Sequence, residues 1–62
     1  MKVYVGSKTY NFQGRLKVEE LLHKLNLHPQ SNIVIRNGEI VTEDEYLEPE
    51  DEVEIIHAIS GG

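Results

Sequence analysis

Residues 32–41 read NIVIRNGEIV, with an apolar run on each side of the dipeptide Asn37-Gly38. Asn-Gly between two such runs is the strongest short-range signal for a β-hairpin, because both residues tolerate the positive φ angles of a tight two-residue turn. We therefore predict two antiparallel strands joined at this dipeptide. The rest of the fold is predicted by working outward from this hairpin in both directions.

The segment before the hairpin, KVEELLHKLNL at 17–27, changes from a strand period to a helical one. Its apolar residues fall at i, i+3, i+4 and i+7, which is one stripe of a helix: Val18, Leu21, Leu22 and Leu25. Lys17, at the expected start, is not a residue that caps a helix with its side chain. Pro29 disfavours helical geometry at His28, so we expect the helix to end by about that point.

The two ends of the chain complete the order of elements. Residues 2–13 alternate in polarity around a GSK turn and predict a first hairpin. After the central hairpin, the polar stretch 42–51 is irregular, and EVEIIHAI at 52–59 closes the domain as a strand. The order strand, strand, helix, strand, short strand, strand predicts an α+β fold in which a mixed sheet packs on one helix.

Alternation along the strands predicts which side chains are buried. The face under the helix is expected to receive Val3, Val5, Val53 and Ile55. The strand NIVIR cannot bury all three of its aliphatic side chains. Either Val34 faces the helix while Ile33 and Ile35 face outward, or the reverse arrangement holds, and the sequence leaves this choice open.

Length and composition limit the classes of function. The chain has 62 residues, no cysteine and a net charge of −5, which predicts one small domain over 1–62 with neither a disulfide nor a thiolate metal site. So small a core leaves little room for an enclosed active site, so we do not expect an enzyme or a bound cofactor. The acidic balance argues against nucleic acid and favours a basic protein partner. The sequence shows no signal-peptide or membrane-helix pattern, and we expect a cytoplasmic protein.

The last residues, HAISGG at 57–62, place two glycines after an apolar strand. Glycine is costly to order and adds nothing to a core, so the glycines are either a frayed end or a functional tail. Glycines lack Cβ and let the backbone approach a partner closely, and Ser60 adds only a hydroxyl group. The residues alone leave both readings open, and it is the family resemblance given below that implies a flexible reactive tail at 59–62, with Gly61 and Gly62 as its working residues.

Three stretches of the chain resemble the ThiS/MoaD family of ubiquitin-like sulfur carriers, and ThiS most of all. They are MKVYVG at the start, RNGEIV at 36–41 and VEIIHAISGG at 53–62, so the resemblance covers essentially the whole chain. It implies a β-grasp fold. The sequence departs from the family pattern at Ser60, where a third glycine is common, at Glu50, where glycine usually precedes the aspartate, and at Lys17, where threonine is common.

The resemblance also implies a chemistry and a set of partners. An E1-like enzyme of the ThiF/MoeB type would use ATP to adenylate the carboxylate of Gly62. A sulfur donor such as a cysteine desulfurase would then convert the acyl-adenylate to a thiocarboxylate. In the ThiS branch the acceptor is a synthase of the thiazole synthase type, which builds the thiazole of thiamine. ATP would be used by the partner, with no cofactor bound to the carrier.

A reactive tail needs a docking surface beside it. A small domain with surplus apolar residues on the open face of its sheet suggests a protein-binding patch. The candidates for partner binding are Ile33, Ile35, Ile56, Ala58, Ile59 and Ser60. The acidic run at 43–54, with Asp or Glu at eight of twelve positions, either steers a basic partner or is simply a solvated loop.

The three histidines do not indicate a metal site, and three other functions are compatible with the same sequence. His23, His28 and His57 have no cysteine or paired carboxylate beside them in a zinc spacing, so we predict no metal site. The same tail chemistry would also serve the small subunit of molybdopterin synthase, or a ubiquitin-like modifier used on lysines or in tRNA thiolation. From a different class, the chain would be a β-grasp interaction module with an inert tail.

Overall fold

The computed structural model of the chain describes residues 1–58. In this range the elements are β1 (Lys2–Val5), β2 (Lys8–Asn11), β3 (Leu16–Lys17), α1 (Val18–Lys24), β4 (Asn32–Arg36), β5 (Glu39–Val41), β6 (Tyr46–Leu47) and β7 (Glu52–His57). A 3-10 turn at Pro29–Ser31 leads into β4. No helix within the described range has the length and apolar character needed to cross a membrane. The predicted tail, 59–62, lies outside the described residues.

Five strands form the main sheet in the order β2-β1-β7-β4-β5. Strands β1 and β7 run parallel, whereas every other neighbouring pair is antiparallel. Strand β7 is therefore central and paired along both edges. Helix α1 covers one face of this sheet, and the predicted α+β class with a mixed sheet packed on one helix is confirmed.

The core lies between α1 and the sheet. It consists of Val3, Val18, Leu21, Leu22, Val34, Val41, Leu47, Val53 and Ile55. The choice that the sequence left open for β4 is settled, because Val34 is buried and pairs with the buried Ile55, whereas Ile33 is exposed. Of the residues predicted to face the helix, Val5 is only half-buried and packs at the border of the core.

The first turn of α1 is capped by backbone carbonyls from the loop after β5 and by the carboxylate of Glu20, which accepts the N–H of Lys17 at 3.0 Å. The N–H of Val18 donates to the carbonyl of Glu45 at 2.9 Å, and that of Glu19 donates to the carbonyl of Glu43 at 3.0 Å. These bonds satisfy donors that a helix leaves free at its start. Lys17 can stand before the helix because the loop after β5 supplies the acceptors.

The end of α1 is set by Asn26, which adopts a left-handed φ of 60°. The N–H of Asn26 donates to the carbonyl of His23 at 3.1 Å, and the N–H of Leu27 donates to the carbonyl of Leu22 at 2.8 Å. This pair of bonds is a Schellman motif, in which the left-handed residue is usually glycine and sometimes asparagine. The helix consequently ends at Lys24, earlier than the boundary that the proline implies.

A second, two-stranded sheet pairs β3 with β6 and was missed in the sequence. Leu16 lies opposite Leu47, which is fully buried, and Lys17 lies opposite Tyr46. The guanidinium of Arg15 stacks over the Tyr46 ring, 4.1 Å from its centroid. This short ladder fastens the irregular stretch after β5 to the start of α1.

The helix end gives a first prediction. Replacing Asn26 by alanine should lower the free energy of unfolding by about 1 kcal/mol. Alanine pays the steric cost of the left-handed conformation and lacks the short polar side chain whose local hydrogen bonds offset that cost in asparagine. Asn26→Gly is the matched control and should retain or raise stability, since glycine is the preferred residue at this position. Urea unfolding of the two variants measures the difference, and equal stability would show that the left-handed turn does not limit the helix.

Candidate functional site

The sheet face opposite α1, called the open face here, gathers apolar side chains from neighbouring strands. Strand pairing places Ile33 directly opposite Ile56, and Ile35 opposite Ile40. Val34, Val41 and Ile55, which are their neighbours along the strands, are buried and face α1. Because successive side chains of a strand point to opposite faces, all four isoleucines lie on the open face. The structure thus brings together the predicted candidates Ile33, Ile35 and Ile56.

The open face is accessible to a partner. The exposed fractions are 37% for Ile33, 44% for Ile56 and 72% for Ile40. Sequence reasoning did not select Ile40. A two-residue turn at Asn37-Gly38 fixes the register of the hairpin, so counting back from the turn would have paired Ile40 with Ile35. Exposed aliphatic residues that are contiguous in this way are typical of a protein-binding surface.

A carboxylate lies within this apolar surface. Glu54 of β7 is flanked by Tyr4 on β1 and by Ile35 on β4. These three residues and Glu52 help to line an open recess of about 440 Å³. An exposed carboxylate beside an aromatic ring and an aliphatic side chain is suited to receive a basic side chain whose apolar stem packs against the neighbours. The open face therefore combines apolar contact area with negative charge.

The start of the predicted tail is held by backbone contacts. After His57, which pairs with Asn32, the N–H of Ala58 donates to the carbonyl of Ser31 at 2.8 Å. The side-chain nitrogen Nδ2 of Asn32 donates to the carbonyl of His28 at 2.9 Å, across the 3-10 turn. Ala58 is thus half-buried and fixed to the main sheet. The residues of the predicted tail itself, Ile59, Ser60, Gly61 and Gly62, lie outside the described residues.

At the opposite end of the sheet, a cluster of hydrogen bonds joins the β4–β5 turn to the start of β7; we call it the Asn37 clasp. The N–H of Asn37 donates to the carbonyl of Glu52 at 2.9 Å, and the N–H of Glu52 donates to Oδ1 of Asn37 at 3.0 Å. Nδ2 of Asn37 donates to Oδ1 of Asp51 at 3.0 Å. The other oxygen of Asp51 accepts the N–H of Glu48 at 2.8 Å.

Asp51 is the buried polar residue of the clasp, with 9% of its surface exposed. The pKa of its carboxyl lies below the ordinary value of 3.8, first because the backbone N–H of Glu48 donates to it and also because the Asn37 amide does. Burial acts in the opposite direction but does not prevail. Glu50, where the family pattern has glycine, is not among the residues with positive φ, so this departure causes no backbone strain there.

The acidic run therefore has a structural role beyond the two alternatives of the sequence analysis. Carbonyls of Glu43 and Glu45 cap α1, and Asp51 holds the turn that precedes β7. His23, His28 and His57 are exposed. Across residues 1–58, no three His, Asp or Glu side chains gather in a way that would hold a metal ion.

Comparison with known proteins gives a consistent match. The ThiS family model matches residues 3–62. The sulfur carrier protein TtuB of Thermus thermophilus is 33% identical over 55 residues, which cover 89% of this chain and 85% of TtuB.

Two solved structures of thiamine biosynthesis proteins from Geobacter metallireducens are similar over the full length of this chain. The crystal structure, of ThiS, has a TM-score of 0.69 and 28% identity and is covered completely. The NMR structure has a TM-score of 0.63 and 26% identity, with 88% of that chain covered. This likeness confirms the predicted β-grasp fold.

The Asn37 clasp predicts a pH dependence of stability. Because the folded state lowers the pKa of Asp51, its ionised carboxyl contributes stability above the ordinary pKa of 3.8, and this contribution is lost as the pH falls through the lower folded value. Asp51→Ala should lose about 2 kcal/mol at neutral pH, as expected for charge-assisted hydrogen bonds. The difference from wild type should shrink below pH 3.8. Urea unfolding over a pH series measures it, and a constant difference would contradict this account.

Proposed function

The chain belongs to the ThiS family, and from this premise we propose that it is a sulfur carrier protein rather than an enzyme. The observation that carries the proposal is the family match, which extends along residues 3–62 and so includes the Gly61-Gly62 ending. The name of the relative TtuB, a sulfur carrier protein, supports it. In this role the domain is a rigid handle, and the chemistry takes place on the carboxylate of Gly62.

The carrier needs activation because a carboxylate resists attack by nucleophiles. We propose that the Gly62 carboxylate attacks the α-phosphorus of ATP in an E1-like enzyme of the ThiF/MoeB type and displaces pyrophosphate. The resulting acyl-adenylate is neutral at the reacting carbon and has AMP as its leaving group. A sulfur donor such as a cysteine desulfurase then attacks with the terminal sulfur of its cysteine persulfide and displaces AMP to give an acyl disulfide. A second thiol cleaves the S–S bond, so that the thiocarboxylate is released and the two thiols are left as a disulfide. The chain supplies no acid, base or metal for these steps.

The tail reaches that pocket only if the domain docks beside it. We assign docking to the open face, where the exposed Ile33 and Ile56 and the half-buried Ile35 present apolar surface next to Glu54. Apolar contact would supply most of the affinity, while Glu54 would pair with a basic side chain of the enzyme and fix the orientation. Ala58, whose N–H donates to the carbonyl of Ser31, is the described residue that directly precedes the tail in the sequence.

The acceptor of the sulfur is proposed to be a thiazole synthase, so that the pathway is thiamine biosynthesis in the cytoplasm. The two similar Geobacter metallireducens structures, both described as thiamine biosynthesis proteins, support this acceptor. A second candidate is delivery of sulfur to another acceptor, since the relative TtuB is named a sulfur carrier protein and its name specifies no acceptor. Restoration of growth without thiamine in a strain that lacks its own ThiS would distinguish these two assignments.

The tail prediction tests the carrier function directly. With ATP, an E1-like enzyme and a sulfur donor, the wild-type protein should gain the mass of one oxygen-to-sulfur exchange. Deletion of Gly62 should abolish the gain because the shortened chain no longer brings its terminal carboxylate to the nucleotide pocket. Gly61→Val should abolish it because the valine side chain prevents the close approach of the backbone that glycine allows. Intact-mass spectrometry measures it. Both variants should keep the wild-type melting temperature, and activation of either one at the wild-type rate would refute the proposal.

The docking prediction concerns Ile56. Ile56→Asp should weaken binding to the activating enzyme by about tenfold or more, because it places a charge in the apolar contact, as hot-spot substitutions do. Tyr46→Asp is a matched control, since Tyr46 is 43% exposed against 44% for Ile56 but lies on the small β3–β6 sheet. Isothermal titration calorimetry measures both affinities, and equal effects of the two substitutions would place docking elsewhere.

A further inference from the structure

The turn between β4 and β5 contains a bond that is chemically vulnerable. In an Asn-Gly sequence the glycine has no side chain to obstruct its nitrogen, so that nitrogen readily attacks the asparagine amide. We propose that Asn37-Gly38 is a site of spontaneous deamidation, and that the Asn37 clasp protects it as long as the domain is folded. This inference is independent of the function proposed above.

The reaction requires only water as a co-reactant. The backbone nitrogen of Gly38 loses its proton and bonds to Cγ of Asn37, and the amide nitrogen leaves as ammonia. Water then opens the five-membered imide at either carbonyl. One opening gives aspartate at position 37, and the other gives isoaspartate, in which the main chain runs through the former side chain. No oxidation or reduction occurs.

The folded structure opposes ring closure through three polar groups of Asn37. Its main-chain N–H and its side-chain oxygen both bond to Glu52, and its side-chain nitrogen donates to the buried Asp51. For attack on Cγ, the amide must rotate away from these partners. The turn itself is also fixed, with φ angles of 50° at Asn37 and 87° at Gly38. Reaction therefore depends on local opening of the turn, whose cost slows it.

Either product would break the clasp that protected the site. Aspartate at position 37 loses the donor that Nδ2 provides and turns an oxygen toward the carboxylate of Asp51, so attraction becomes repulsion. Isoaspartate lengthens a two-residue turn by one backbone atom, which breaks the register between β4 and β5. The damage lies beside Ile35 and Glu54 on the open face, so the modified domain loses order at the surface that carries its apolar contacts.

The test compares folded and unfolded protein at mildly alkaline pH and 37 °C. Deamidation is followed by the amide-to-acid mass change and located by peptide mapping that detects isoaspartate. Asn26 is an internal control, because it also has a left-handed φ but precedes leucine rather than glycine. In urea, Asn37 should react far faster than Asn26. In the folded protein, the Asn37 rate should fall at least about tenfold, as the loss of several hydrogen bonds on opening implies.

A variant of the clasp identifies the cause of the protection. Asp51→Ala should speed deamidation of Asn37 in the folded state by about tenfold, consistent with loss of one charge-assisted hydrogen bond. Circular dichroism checks that the variant is folded, and Asp51→Leu, which approximates the shape of the side chain but carries no acceptor, serves if it is not. Reaction of either folded variant at the wild-type rate would overturn the proposal. Equal rates in folded and unfolded wild-type protein would overturn it as well.

Discussion

A strand that is paired along both edges can direct its side chains only to the two faces of its sheet, and this constraint on β7 organises the molecule. Val53 and Ile55 enter the core, while Glu54 and Ile56 point to the open face. Because β7 is paired with β1 on one edge and with β4 on the other, a one-residue slip against either neighbour would exchange these two sets. The same six-residue strand therefore supplies the centre of the core and the centre of the candidate docking surface.

The loop between β5 and β7 illustrates how a polar segment becomes part of the fold. Its carbonyls cap the start of α1, its Leu47 is fully buried, and its Asp51 secures the turn before β7. Because α1 has only seven residues, it depends on such tertiary contacts rather than on intrinsic helix stability. The caps on α1 use main-chain carbonyls of this loop, whereas Asp51 contributes through its acidic side chain.

Much of the architecture was predictable because it follows from short-range patterns. Asn37-Gly38 and the stripe of apolar residues in α1 identified the central hairpin and the helix, and alternation in β7 assigned its two faces. The parts that the sequence did not reveal depend on long-range contacts. Strands β3 and β6 have two residues each, too few for a recognisable period. The burial of Val34 rather than Ile33 was ambiguous by alternation alone and is set by which face α1 covers.

The parallel arrangement of β1 and β7 has a practical consequence for handling the protein. Parallel strands begin at the same end of a sheet, so Met1 lies near the start of β7, whereas Ala58 leaves from its far end. The six residues of β7 separate these points by roughly 20 Å. A fluorophore, affinity tag or resin attached at the amino terminus would consequently leave the opposite pole of the domain free, which makes immobilisation through that terminus the appropriate geometry for studying the carrier on a surface.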